Sequence, residues 1–170
     1  MKNGLEKGTI TMLKLALNKA NQLAKEVDVI RNTISPYLKN ESVQKMKDYM
    51  QHGHVSTFQH SINVVVISYM IAKIWNWKVD LSVLLVGALL HDFYLYDYHT
   101  GRIRDNGIHG FIHPVTAKEN AIEHFELTGK ELNVIESHMF PLTITKWPRC
   151  KEAIIVSIAD KYCAIKEAHM

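Results

Sequence analysis

GALLHDFYLYDYH, residues 87–99, sets His91 and Asp92 side by side at the end of an apolar segment. Leu84, Leu85, Ala88 and Leu89 recur at helical spacing just before the pair, so the segment reads as a helix running through a core. An imidazole and a carboxylate at the end of such a helix are costly to bury unless both are satisfied. A hydrogen-bonded His–Asp pair would satisfy them. So would a divalent cation, for which neutral imidazole and carboxylate are both good ligands. The dipeptide alone leaves both readings open, and the remaining histidines and aspartates have to be placed before one is chosen.

Working outward, the 170 residues suit one domain with a core large enough to fold without staples. A formal net charge of +3 is too small for a domain that binds nucleic acid by neutralising phosphates. Ten histidines is a high count and favours a metal. Cys150 and Cys163 form no CxxC pair and fit a reducing, cytoplasmic compartment. The N-terminus lacks the apolar core and small-residue cleavage site of a signal peptide. The longest strongly apolar run, 81–90, is too short to span a bilayer, so no membrane partner is expected.

Nearly every segment reads as helix, which predicts an all-α fold, a single-domain helical bundle. Residues 1–49 are expected to form N-terminal helices packing on a core of residues 50–170. Apolar residues at 13, 17, 20, 23, 27 and 30 mark an amphipathic helix to about Ile34, and Ser35-Pro36 restarts the chain. A second helix runs from about Glu41 to Met50, with Val43, Met46 and Met50 on one side. Residues 51–56 read as a polar loop, and Thr57 can cap the helix that follows, through Ile74. Asp80 or Ser82 starts the helix that ends at His91. After Tyr98 the chain is polar and glycine-rich to Gly110, a loop of the kind that carries function. His113-Pro114 opens a helix, Gly129 to Phe140 forms a short one, and Pro148 opens the last.

Several of these helices direct polar groups inward. His60 shares a face with Val64, Ile67 and Ile71, at steps of four, three and four. His138 shares a face with Val134 and Ile135. Asp160 lies on a stripe with Ala153, Val156 and Ala164, where an unpaired carboxylate is unfavourable. His113 stands at a helix mouth. Each of these could be satisfied by a hydrogen bond, a cap or a salt bridge. Together they would demand several unrelated polar pairs in one core, whereas six compatible ligands projecting from separate helices are how helical proteins build metal centres.

The ordered series His60, His91-Asp92 and Asp160 resembles the H…HD…D signature of the HD-domain metal-dependent phosphohydrolases, over roughly residues 50–168. His113-Pro114 and His138 are similar to the extra histidines of the subset that holds two metals. HDFYLYDYH, HGFIHP, SHMFPLT and IADKYCA resemble a small bacterial single-domain branch. The resemblance implies that His60, His91, Asp92 and Asp160 ligate a first metal, with Asp92 bridging to a second held by His113 and His138. It implies one or two divalent transition-metal ions, Fe, Mn, Zn, Ni or Co, with Mg also admitted. Two such ions would clamp a bridging hydroxide and a phosphoryl oxygen. The implied activity is hydrolysis of a small-molecule phosphate ester, a nucleotide among the candidates. His138 is followed by Met139-Phe140-Pro141, without the paired histidines and Gly-Tyr-Pro motif of the cyclic-dinucleotide phosphodiesterases, which argues against that substrate.

Arg102, Arg104, Lys146, Arg149 and Lys161 lie near the motifs and could meet phosphate charge. Lys161, next to a ligand, is the best candidate of the set, and the solvated surface is the better reading of Arg104 and Lys146. His109 and His99 could hold a bridging oxygen or the leaving group. Asp92, Lys161 and His109 are therefore the expected catalytic residues. The same ligands also fit a di-iron oxygenase, or a metal-stabilised binding protein without activity.

Overall fold

The computed structural model describes residues 2–100 and 108–169. It is an all-α fold. Seven α-helices are described, α1 (Lys2–Leu38), α2 (Glu41–Lys45), α3 (Thr57–Ile74), α4 (Leu81–Leu90), α5 (His109–His124), α6 (Gly129–Ser137) and α7 (Lys151–Glu167). One small antiparallel hairpin, β1 (Met50–His52) and β2 (Val55–Ser56), separates α2 from α3. The chain divides into two compact units, residues 1–32 and 33–170. In the first, Leu15, Leu17, Leu23 and Val27 are exposed. No described helix is long and apolar enough to cross a membrane.

In the second unit α4 is the central element. Every residue from Val83 to Leu90 is buried, the pattern of a helix enclosed on all sides. It packs on α3, α6 and α7. Asp80 caps its start, its carboxylate accepting from the backbone amides of Ser82 and Val83 at 3.0 and 3.3 Å. Leu84, Leu85, Leu89 and Leu90 are fully buried, each contributing about 1.5–3 kcal/mol. Gly87 permits the closest approach in this layer, because a Cβ there would lie 2.5 Å from Val134 Cγ1 on α6. The close packing fixes α4 one turn before His91.

Several local expectations are corrected. Pro36 does not restart the chain; it lies inside α1, two residues from its end, where only one backbone bond is forfeited. Residues 51–56 belong largely to the hairpin, turned by Gly53 at φ +55°, a conformation that favours glycine. Ser56, not Thr57, caps α3, accepting from Gln59 N at 3.2 Å. Thr57 instead donates its hydroxyl to Tyr49 O. α2 gives way to a 3₁₀ turn at Met46–Asp48, and of the expected apolar side Val43 and Met46 are buried while Met50 is exposed. His113-Pro114 does not open α5, which begins at His109 and carries Pro114 inside it. α6 ends at Ser137, with His138 as its C-cap. α7 begins at Lys151, three residues after Pro148, with Cys150 at its N-cap.

Candidate metal centre

α3 supplies His60, the end of α4 supplies His91 and Asp92, α5 supplies His113, the end of α6 supplies His138, and α7 supplies Asp160. All six side chains are buried. They form two groups that share Asp92. His60, His91, Asp92 and Asp160 make one, and Asp92, His113 and His138 make the other.

The carboxylate of Asp92 is divided between them. Its Oδ2 lies 3.2 Å from His91 Nε2 and 3.7 Å from His60 Nε2. Its Oδ1 lies 3.2 Å from His113 Nε2 and 3.5 Å from His138 Nε2. Asp160 Oδ1 closes the first group, 3.1 Å from His60 Nε2 and 3.7 Å from His91 Nε2. Two atoms each about 2.1 Å from one ion, at roughly 90–110°, stand about 3.0–3.4 Å apart, so this spacing fits a coordination sphere.

The donor chemistry fits as well. A carbonyl only accepts, so each imidazole nitrogen facing one carries a proton. His91 Nδ1 donates to Ala88 O at 2.8 Å, His113 Nδ1 to His109 O at 2.8 Å, and His138 Nδ1 to Ile135 O at 2.7 Å. Their Nε2 atoms therefore point into the site as ligand atoms. His113 Nε2 and His138 Nε2 lie only 2.8 Å apart, and two lone pairs at that distance repel unless a proton or cation lies between them. His91 Nε2 and Asp92 Oδ1 are buried with no hydrogen-bond partner. Such orphaned atoms are rare in a folded core and call for a ligand.

Two supporting residues escaped the sequence reading. Glu167, on α7, holds His60: its Oε2 lies 2.7 Å from His60 Nδ1, and its Oε1 accepts from Asn63 Nδ2 at 2.8 Å. The signal was present, since Glu167 continues the stripe of Ala153, Val156, Asp160 and Ala164 and is itself buried. Gln51, on β1, donates from Nε2 to Asp92 Oδ2 at 2.6 Å. Tyr94 donates its hydroxyl to Gln51 Oε1, and Tyr98 donates to the Gln51 backbone carbonyl. Nothing local in the sequence marks Gln51, which meets Asp92 across 41 residues of chain.

The electrostatics follow from this crowding. Burial opposes the charged form of His60, but its bonds to Asp160 and Glu167 outweigh burial and raise its pKa to about 9. Burial likewise opposes charge on His91, while the adjacent Asp92 and Asp160 raise it to about 10. Both carboxylates are held below the usual range against the cost of burial, Asp92 chiefly by the charge of His91, Asp160 by its contacts with His60 and His91. Burial and the charge of His91 push His138 down to about 3, so it is neutral.

A cavity of about 520 Å³ opens on the cluster, lined by Asp92, His113, His138 and Asp160 and by Gln51, Tyr98, His109 and Lys161, with an apolar remainder. His109 begins α5 and is stacked between the rings of Tyr98 and His113, at 4.1 and 4.4 Å, with Nδ1 3.0 Å from Tyr96 Oη. Lys161 reaches the cavity, but its ammonium is engaged within the protein. It donates to His138 O at 2.9 Å, Ser157 O at 3.1 Å and Ser157 Oγ at 3.0 Å, which uses its three donors. His99 is not among the cavity residues; it pairs with Asp97, Nδ1 to Oδ1 at 3.3 Å. Lys146 lies 3.8 Å from Glu136, and Arg149 is exposed. Arg102 and Arg104 lie outside the described residues.

A buried His/Asp cluster drawn from five packed helices, with two groups that could hold a metal, defines the class of protein. The HD domain family model matches residues 57–165, which includes His60, both central residues of the HD pair, His113, His138 and Asp160. The chain belongs to the HD domain family. No curated protein and no solved structure matches it.

Proposed function

We propose that the protein is a metal-dependent phosphohydrolase acting on a small-molecule phosphate ester, with a dinuclear centre. The observation that carries the reading is the division of Asp92, each of whose oxygens faces a separate ligand group. His60, His91, Asp160 and Asp92 Oδ2 would hold one ion, and Asp92 Oδ1, His113 and His138 the other. HD domains are largely metal-dependent phosphohydrolases, which supports the reaction class. Divalent ions bound there supply Lewis acidity toward a phosphoryl oxygen and lower the pKa of water to about 7.

The chain's own residues have distinct tasks. Asp92 compensates positive charge on both sides and is held in place by Gln51. His109, at the cavity edge and oriented by Tyr96 and Tyr98, is positioned to give a proton to the leaving oxygen. Lys161 acts as a positioning residue, tying α7 to the carbonyl of His138, rather than meeting the phosphate. The formal net charge of +3 favours a small-molecule partner over nucleic acid.

Metal analysis of protein purified without chelator, followed by a screen of phosphate esters with added Mn, Fe, Zn, Co, Ni or Mg, tests the reading. Phosphate release that is lost on chelation and restored by metal is expected. Dioxygen uptake without phosphate release would reassign the site to di-iron oxygenase chemistry, and bound metal with neither activity would make it a binding protein.

A further inference from the structure

The cavity also carries information about the part of the substrate away from the phosphoryl group. Apart from Asp92, His113, His138 and Asp160, the polar side chains that line it are mostly engaged. Gln51 donates to Asp92 and accepts from Tyr94, and the Lys161 ammonium bonds His138 and Ser157. Tyr98 donates to the Gln51 carbonyl and His109 Nδ1 lies 3.0 Å from Tyr96 Oη, and the rest of the wall beside Gly110 is Met139, Pro141, Leu142 and Ala164. This wall is built against the first turn of α5: a Cβ at Gly110 would lie 3.2 Å from Leu142 Cδ2 and 3.7 Å from Met139 Cε. A second apolar hollow of about 360 Å³ shares Pro141 and Lys161 with the first. Phe140 and Trp147, with ring centroids 5.1 Å apart, form part of its lining.

A site of this composition recognises its ligand in two ways. Charge and coordination are available at the His/Asp cluster, whereas the wall offers area and few unengaged hydrogen-bonding groups. A polyol or sugar in that space would lose hydration without recovering hydrogen bonds. An alkyl or aryl group would gain by leaving water.

We infer that the site takes a phosphomonoester of an apolar alcohol, its hydrocarbon part lying against Met139, Pro141 and Leu142 and extending toward Phe140 and Trp147. This rests on the phosphohydrolase reading for the phosphoryl end only.

Ethyl-, butyl- and hexylphosphonate, which cannot be hydrolysed as esters, test the inference by calorimetry on the manganese- or zinc-loaded protein. The dissociation constant is expected to fall about fourfold per added methylene, the equivalent of about 0.8 kcal/mol of buried CH₂. Leu142→Asn, on an exposed turn residue that is not a metal ligand, should reduce that dependence to twofold or less while leaving inorganic phosphate binding unchanged. Met139→Gln serves as a second variant with the same expectation. Affinity independent of chain length, tighter binding of glycerol phosphate than of butylphosphonate, or no binding of any phosphonate would overturn the inference. Phosphate release from butyl and hexyl phosphate is read separately. Graded phosphonate binding without release would refute the hydrolase reading and leave the apolar preference standing.

Discussion

Glu167→Gln isolates the support of one metal ligand without changing its volume. In the wild type the Glu167 carboxylate lies 2.7 Å from His60 Nδ1 and accepts from Asn63 at 2.8 Å, in a buried setting. The other three histidines of the cluster turn Nδ1 to neutral backbone carbonyls, so His60 is the one whose Nδ1 faces a carboxylate. Charged hydrogen bonds contribute about 1.5–3 kcal/mol and neutral ones about 0.5–1.5 kcal/mol, and removing an outer partner typically weakens metal binding 10- to 100-fold. Because glutamine keeps an acceptor for His60, the lower part of that range applies, roughly 10- to 30-fold or about 1.4–2 kcal/mol. Competition against a chelator of known affinity reads this at the first site. Stability of the metal-free protein gives a second readout with a defined sign. His60 is raised to about 9, so its contribution is fully present below the unfolded value near 6.5 and is lost as pH rises through about 9. The variant should therefore be destabilised at pH 6 and approach the wild type by pH 10. Wild-type metal affinity together with a pH-independent stability difference would refute the role given to Glu167.

Other outcomes follow from the same geometry. Asp92→Ala is expected to abolish activity and empty both ion positions while retaining helical circular dichroism; hydrolysis at the wild-type rate would make Asp92 structural. His138→Ala should lower metal content from about two ions per chain to one, by elemental analysis, because the first ligand group does not include it. Metal uptake at pH 7 should release about two protons, from His60 and His91, whose pKa values near 9 and 10 keep them charged in the metal-free protein. Metal affinity should accordingly rise with pH up to that range, as measured by calorimetry in buffers of different ionisation enthalpy. Gly87→Ala should cost about 1–3 kcal/mol in denaturant unfolding through overlap with Val134, and Val134→Ala should recover most of it in the double variant.

The helices and their inward faces were legible because burial imposes a period. His60, His138 and Asp160 were found where a polar residue interrupts an apolar stripe, and the structure buries all three. Glu167 is equally legible by that rule, since it continues the same stripe into the last turn of α7. Helix starts were less legible. The pattern places Pro114 and Pro148 in first turns, but α5 accommodates Pro114 in its interior, and Cys150 rather than Pro148 borders α7. Gln51 could not be found from sequence at all. Its neighbours are polar and glycine-containing, and its role arises only when the hairpin reaches the end of α4. The position of Lys161 after Asp160 suggests a cation facing phosphate, and sequence cannot show that the His138 and Ser157 oxygens engage its ammonium.

These differences reflect two kinds of construction in one site. His91 and His138 are the C-caps of α4 and α6, and each bonds the carbonyl three residues before it. The last carbonyls of a helix lack intrahelical partners, so a histidine there can take one with Nδ1 and present Nε2 outward. His113 does the same one turn into α5 through His109 O. The orientation of these three rings is therefore a local property of helix geometry. Asp92 has no such local anchor: its carboxylate is fixed by Gln51, which Tyr94 and Tyr98 hold in turn. A disturbance of β1 should thus leave the histidines correctly turned but release the carboxylate that both ligand groups share. The hairpin, although remote in sequence and small, thus supplies the side-chain bond to the carboxylate common to both groups.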